Sequence, residues 1–377
     1  MHIDSIGPGL SALVATSSAA SEELGPKLLY AGDGSPWTPQ GQGYLEGTGG
    51  NPGQILTTYS GGRDDGVLLS MQDLHQSPDS DADHAVILGG LPSTTFGASQ
   101  PAPDKAGGVA TDGTHVYVAD TEAIYVYRLS DIQASRGDLC GEPVPAIDRI
   151  EMPDGTRASY LNIKDGKLYV GEFASTVDAL KDTMEVEGLG EQLGDFFKAI
   201  NPLKDKFKDY FTDPLDALSP VELHGLDRPE MLVYNIDEST GGVIDEGTGE
   251  VSSDKPEPEQ SFEIPFDTQG VAITDEGLLF TRSYGSLELN VGHGIKIEAP
   301  HELTFLERDG SADGYEAAAD AGKVAELDYY AEGVNIIDGQ VWVTYESAAD
   351  KYRDKVDDPR EHIQRIPLED VDIPDAG

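Results

Sequence analysis

A paired-strand unit recurs five times along the sequence. In each copy a Gly or its stand-in opens a short apolar strand, a turn follows, and a β-branched or aromatic strand begins. Gly108-Val109-Ala110-Thr111-Asp112-Gly113 precedes His115-Val116-Tyr117-Val118, and Gly270-Val271-Ala272-Ile273 precedes Leu278-Leu279-Phe280. Gly333-Val334-Asn335-Ile336-Ile337 leads through Asp338-Gly339 into Val341-Trp342-Val343. Tyr160-Leu161-Asn162-Ile163 before Leu168-Tyr169-Val170 has Tyr in place of the Gly, and Gly41–Gly47 before Ile55-Leu56-Thr57 is the weakest copy. A lone hairpin cannot bury its apolar faces, so such units must stack, and their radial stacking is a β-propeller.

Each blade needs four antiparallel strands from the axis outward. Blade 1 reads as Gly41–Leu45, Gln54–Tyr59, Val67–Gln72 and His84–Leu88. Blade 2 reads as Gly108–Thr111, His115–Ala119, Ala123–Leu129 and Val144–Met152. Blade 3 leaves the β pattern after Leu168–Glu172 for a helical stretch over 177–226, then resumes at Met231–Ile236 and Ser261–Ile264. Blade 4 reads as Val271–Thr274, Leu278–Arg282, His301–Glu307 and Lys323–Leu327. Blade 5 offers Val334–Ile337, Gln340–Tyr345 and His362–Leu368 but no fourth strand, so Leu10–Thr16 or Lys27–Tyr30 is expected to complete it and close the ring.

The expected fold is therefore all-β, a five-bladed β-propeller forming one domain over residues 1–377, with six blades as the alternative. In the insertion, Leu189, Leu193, Phe196, Phe197 and Ile200 fall at helical spacing. They read as an amphipathic element packed on its own propeller, or as a lid or docking element. Asp237–Gln260 lacks periodicity and reads as a long outer hairpin loop.

Charge limits the partners. With 70 acidic and 25 basic residues the net charge is −45, a surface that repels phosphate backbones and anionic lipid heads. It suits cation binding, a saline habitat or the solubility of a secreted protein, and it destabilises the compact state unless salt screens it. Cys140 is the only cysteine, so an intrachain disulfide is excluded. There is no apolar run long enough for a membrane-spanning helix. Met1-His2-Ile3-Asp4-Ser5 lacks the basic start and apolar core of a leader, while Ser17–Glu23 is small and polar like the start of many exported chains. An extracellular or cell-surface location is expected, with the cytoplasm as the alternative.

In a propeller the loop entering each inner strand and the end of each second strand open on the same face of the central channel. Before the inner strands stand Gln40, Gly107, Ser159, Gln269 and Glu332; at the ends of the second strands stand Ser60, Asp120, Glu172, Arg282 and Glu346. These form an expected ring of polar residues, with Gln40, Asp120, Glu172, Gln269, Arg282, Glu332 and Glu346 as candidate ligand contacts. Arg282 is placed either as the hub of carboxylate pairing or as the holder of a substrate anion. Asp120, Glu172 and Glu346 are the candidate catalytic carboxylates and the candidate ligands of a channel ion such as calcium. Asp79-Ser80-Asp81-Ala82-Asp83 fails as a calcium loop, because His84 stands where Gly is needed. The histidines lack zinc spacing, and no nucleophile elbow or phosphate-binding Gly loop is present.

The paired strands Gly108–Ala119 and Gly270–Phe280 resemble the blades of bacterial lactonase-like and gluconolactonase-like propellers. That resemblance implies a channel metal held by Glu, Asn and Asp, with Glu172 and Asp120 as counterparts and Asn162 or Asn335 supplying the Asn. Five-bladed glycosidases also use channel carboxylates, but their Asn-Asp-Pro, Arg-Asp-Pro and Glu-Cys signatures are missing. The expected function is an exported, acidic, non-catalytic propeller that binds a small molecule or protein at the channel mouth. The alternative is a metal-dependent hydrolase of lactonase or glycosidase type.

Overall fold

The computed structural model describes residues 23–29, 34–49, 52–61, 66–77, 84–92, 102–135, 142–175, 228–283, 287–289, 295–297, 301–308 and 321–373. The expected helical insertion, Leu10–Thr16, the acidic turn at Asp79–Asp83 and Cys140 lie outside the described residues.

Five antiparallel sheets form the blades of a β-propeller. Blade 1 runs Thr38–Leu45, Gln54–Ser60, Val67–Asp73, His84–Leu88, and blade 2 runs Val109–Thr111, His115–Asp120, Ala123–Arg128, Asp148–Glu151. Blade 3 begins Tyr160–Lys164, Lys167–Gly171, Glu230–Ile236, and blade 4 runs Thr268–Ile273, Gly277–Arg282, Glu302–Glu307, Gly322–Glu326. Blade 5 is Ala331–Ile337, Gln340–Tyr345 and His362–Pro367, completed on its outer edge by Glu23–Lys27. Each inner strand touches the inner strands on both sides, so the ring is closed.

The closing strand is Glu23–Lys27, sharing only Lys27 with the expected Lys27–Tyr30. Its sequence Glu-Leu-Gly-Pro-Lys shows no alternation, and its pairing to His362–Arg365 shifts register between Leu24 and Lys27. Pro26 is tolerated there because an outer edge needs no further donor. The outer hairpin loop after Ile236 joins paired strands as expected, but it carries strands of its own. Val243–Asp245 and Glu250–Ser252 form a small hairpin that extends the outer edge of blade 3, while Gln260–Glu263 pairs with the first half of Glu230–Ile236. Strands of three residues are too short for periodicity to register. Blade 4 carries a second unforeseen hairpin, Leu287–Leu289 with Ile295–Ile297, between its second and third strands.

Five apolar layers lie between neighbouring blades. Leu56, Leu69 and Val86 meet Val109, Val118 and Tyr125 between blades 1 and 2, and Tyr117 and Val126 meet Leu168 and Tyr234 between blades 2 and 3. Tyr160 and Val233 meet Leu278 and Phe280, Leu279 and Phe305 meet Val341 and Val343, and Trp342 and Ile363 meet Ile55. Both faces of a blade are thus buried, which is why its middle strands read as continuous apolar runs. Each fully buried side chain of this size contributes about 2 kcal/mol.

The repeated Gly has a steric cause. A Cβ on Gly41 would fall inside van der Waals contact of Gly108 Cα, and one on Gly108 would strike the backbone of Tyr160 and Leu161. A Cβ on Gly270 would sit 2.7 Å from Glu332 O and 3.0 Å from Gly333 Cα. One on Gly333 would strike Gln42. Five inner strands converge so tightly at this level that backbone packs on backbone. In the third blade Tyr160 occupies the Gly position, and Gly171 opposite it leaves room for the ring.

Candidate site at the channel mouth

Bulges set the mouth. Blades 1, 4 and 5 shift register beside the recurring Gly, between Pro39 and Gln42, Thr268 and Gly270, and Ala331 and Val334. The residues lifted out are Gln40, Gln269 and Glu332, three of the expected ring members. A bulge re-aims a side chain without breaking the sheet.

The second strands carry a pattern that the sequence reading missed: Thr58-Tyr59-Ser60, Thr281-Arg282-Ser283 and Thr344-Tyr345-Glu346. The Thr hydroxyls tie each blade to the next. Thr58 donates to Gly107 O at 2.6 Å, Thr281 donates to Glu332 O, and Thr344 donates to Gln42 Oε1 at 2.8 Å. Two residues on, Ser60 donates to Ala106 O at 3.3 Å, and Ser283 Oγ accepts from the N–H groups of Tyr330 and Ala331. Glu346 occupies the same position in blade 5 and accepts from Gln40 Nε2 of blade 1.

This register separates the expected ring into two sets. Ser60, Ser283 and Glu346 are equivalent, whereas Asp120, Glu172 and Arg282 lie one residue earlier, level with Tyr59 and Tyr345. A one-residue offset in a strand turns the side chain to the opposite face. Arg282 pairs with Glu302 on its own blade at 2.7 Å and donates to Phe266 O at 2.9 Å. Asp120 accepts the backbone N–H of Lys105 at 3.0 Å and of Asp104 at 3.4 Å. Its carboxyl is raised chiefly by burial, as is that of Glu172. Gln269 donates to Ser283 O at 3.0 Å.

Gln40, Glu332 and Glu346 are brought together. Glu332 is 8 % exposed and Glu346 7 %. Burial and then the charge of Glu346 push Glu332 well above the usual carboxylate range, while Lys351 and Lys105 pull the other way. Glu346 is also raised by burial, but Lys351, Gln40 and the Tyr352 hydroxyl counter it. Both carboxyls are thus held above the usual carboxylate range, and they titrate as a pair. Lys105, from the loop entering blade 2, also favours the charged form of both carboxyls. Lys351 Nζ lies 3.9 Å from Glu346 Oε1, on the short helix Asp350–Arg353.

Among the described residues no three carboxylates, imidazoles or thiols are grouped to share a metal ion. Asp120, Glu172 and Glu346 are not assembled as a ligand set. Asn162 and Asn335 lie toward the other end of the channel, where each donates its amide to a neighbouring inner strand, at Val271 O (2.7 Å) and Gln42 O (3.0 Å). They border a cavity of about 180 Å³ there, with Tyr44 and Lys164 also on its wall.

No family model and no curated protein matches this sequence. Among solved structures, the chain is similar to a Thermus thermophilus protein provisionally assigned as an oxidoreductase (glucose dehydrogenase), with 12% identity and a TM-score of 0.42 over 92% of this chain and 99% of that one. It is also similar to a humanized mutant of the Chaetomium thermophilum Polycomb Repressive Complex 2, with 7% identity and a TM-score of 0.34 over 86% of this chain and 52% of that one. Likenesses this distant carry nothing about activity.

Proposed function

We propose that this propeller is a binding module whose ligand enters the channel mouth and meets Gln40, Glu332 and Glu346. One observation supports this reading above the rest. Where blades 1 and 4 carry Gln at the bulge and Ser at the second-strand end, blade 5 carries Glu at both. The neutral residues suffice to join blades, so the two buried carboxyls exceed what the fold requires. Keeping them costs desolvation that a ligand offsets. An exported, extracellular or cell-surface setting belongs to the same proposal and fits the net charge of −45.

A thermal-shift screen of amines, polyols and organic acids tests it on wild type and Glu346→Gln. A ligand at a hundred times its Kd contributes about 2.7 kcal/mol of stability. The expected result is at least one compound that raises the melting temperature of wild type and leaves the variant unmoved. Compounds that stabilise both equally would place the binding site elsewhere.

A hydrolytic reading has one feature in its favour: two neighbouring buried carboxyls in unlike environments, with Gln40 and the Tyr352 hydroxyl hydrogen-bonded to Glu346 but not to Glu332. In it Glu332 would donate a proton and Glu346 would activate water. Turnover of lactone or glycoside substrates, abolished in both Glu332→Gln and Glu346→Gln, would favour catalysis over binding alone.

A further inference from the structure

The carboxyls at the mouth also select the kind of ligand, provided the mouth is the binding site argued above. Glu332 is nine-tenths buried, and its side chain makes none of the hydrogen bonds found among the described residues. Glu346 beside it already accepts from Gln40 and Tyr352. An anion would meet two acidic groups on a chain of net charge −45. A neutral polyol would bring no charge to set against the acidic pair. A cation with N–H donors would balance the ionised pair and give Glu332 the hydrogen-bond partner it lacks among the described residues.

The surroundings already attract such groups. Lys351 Nζ stands 4.4 Å from the centre of the Tyr352 ring and Lys355 Nζ 4.7 Å from it. Tyr330 and Tyr352 pack with ring centroids 4.6 Å apart. Aromatic faces beside carboxylates favour ammonium groups through the ring quadrupole. The 3.9 Å separation between Lys351 and Glu346 is too long for a hydrogen bond, and the Lys351 side chain is half exposed. The protein's own ammonium therefore stands at the lip of the site without filling it.

We propose that the mouth receives a primary ammonium group, whose N–H donors bridge Glu332 and Glu346. The binding step balances: the ammonium ion arrives with its charge, Glu332 gives any proton it holds to solvent, and two carboxylates then face one cation. The groups acting on the pair are Tyr330, Lys351 and Tyr352 from blade 5, Gln40 from blade 1 and Lys105 from the loop entering blade 2. Affinity should rise with pH until Glu332 is ionised in the free protein, and then level off.

Calorimetric titration with methylammonium decides the matter, with tetramethylammonium chloride as background salt because it has no N–H donor. Heats compared in two buffers of different ionisation enthalpy give the proton count. The expected result is saturable binding that releases up to about one proton per ion. Glu346→Gln should weaken it about ten- to a hundredfold, Glu332→Gln should abolish the proton release, and Lys351→Met should tighten binding by removing the internal competitor. The near-isosteric Glu→Gln changes keep the fold, and a melting curve checks this. No saturable binding, equal affinity in Glu346→Gln, or no proton release from wild type would overturn the proposal. If methylammonium fails while a neutral or anionic compound binds in a Glu346-dependent way, the mouth reading survives and the ammonium inference falls.

Discussion

Glu332 stands at a bulge where two other blades place Gln, and the substitution makes folding sensitive to pH. Burial and the charge of Glu346 raise its folded pKa above the unfolded value. Between those two values the native state binds more protons than the unfolded chain, so this group's contribution to stability is present below the unfolded pKa and lost as pH rises through the folded one. Glu332→Gln removes that loss. The melting temperature of the variant should fall less than that of wild type from pH 5 to pH 8, read by scanning calorimetry in matched salt; parallel curves would count against the raised pKa. The sequence indicates Glu332 and Glu346 through their place before and after strands. It does not indicate their pairing, because charge alone aligns Glu346 with Arg282 and Asp120 instead of with Ser60 and Ser283. The Thr-x-Ser, Thr-x-Ser, Thr-x-Glu pattern contains the correct alignment, and it is hidden because the repeating group is a hydroxyl and not a charge.

At the scale of elements, the inner strands owe their spacing to residues without side chains. Gly108→Ala would force a Cβ into the backbone of the next inner strand, a clash that rotamer changes cannot relieve. It should cost about 3 kcal/mol. Gly113, at φ +86° with open space around it, is the control: its change to Ala meets backbone strain alone and should cost about 1 kcal/mol. Urea unfolding of both variants checks the ranking, and equal losses would contradict backbone-on-backbone packing. Strand positions were legible wherever apolar residues repeat, as at His115–Asp120 or Gln340–Tyr345. Turns were legible too: Asp165-Gly166 and Asp338-Gly339 both hold positive φ at two successive residues, as tight hairpins demand. Glu23–Lys27 was not legible, since an outer strand buries little and a Gly-Pro pair mimics a turn.

Over the whole molecule, repulsion within a chain of net charge −45 opposes compactness. Ion pairs such as Lys167–Glu259 and Arg360–Asp328 lie partly exposed and contribute about 0–1 kcal/mol each. Salt weakens these pairs, but it screens a much larger like-charge field, with a Debye length of about 10 Å at 0.1 M and about 3 Å at 1 M. The melting temperature should therefore rise between ~0.1 M and ~2 M potassium chloride; a flat or falling value would show that the acidic surface does not limit stability. The ring was legible from the five hairpins because radial packing is the way such units bury both faces. The chemistry at its mouth was not, because it depends on blade 5 meeting blade 1 across nearly the full length of the chain. Infrared titration of the protonated carboxyl band, wild type minus Glu332→Gln, tests the buried pair at the mouth most directly. The expected result is a band that persists at pH values where ordinary glutamates, with pKa about 4.3, are ionised, and that is missing from the variant. A wild-type band that vanishes with the ordinary glutamates would mean that Glu332 and Glu346 do not share a buried site.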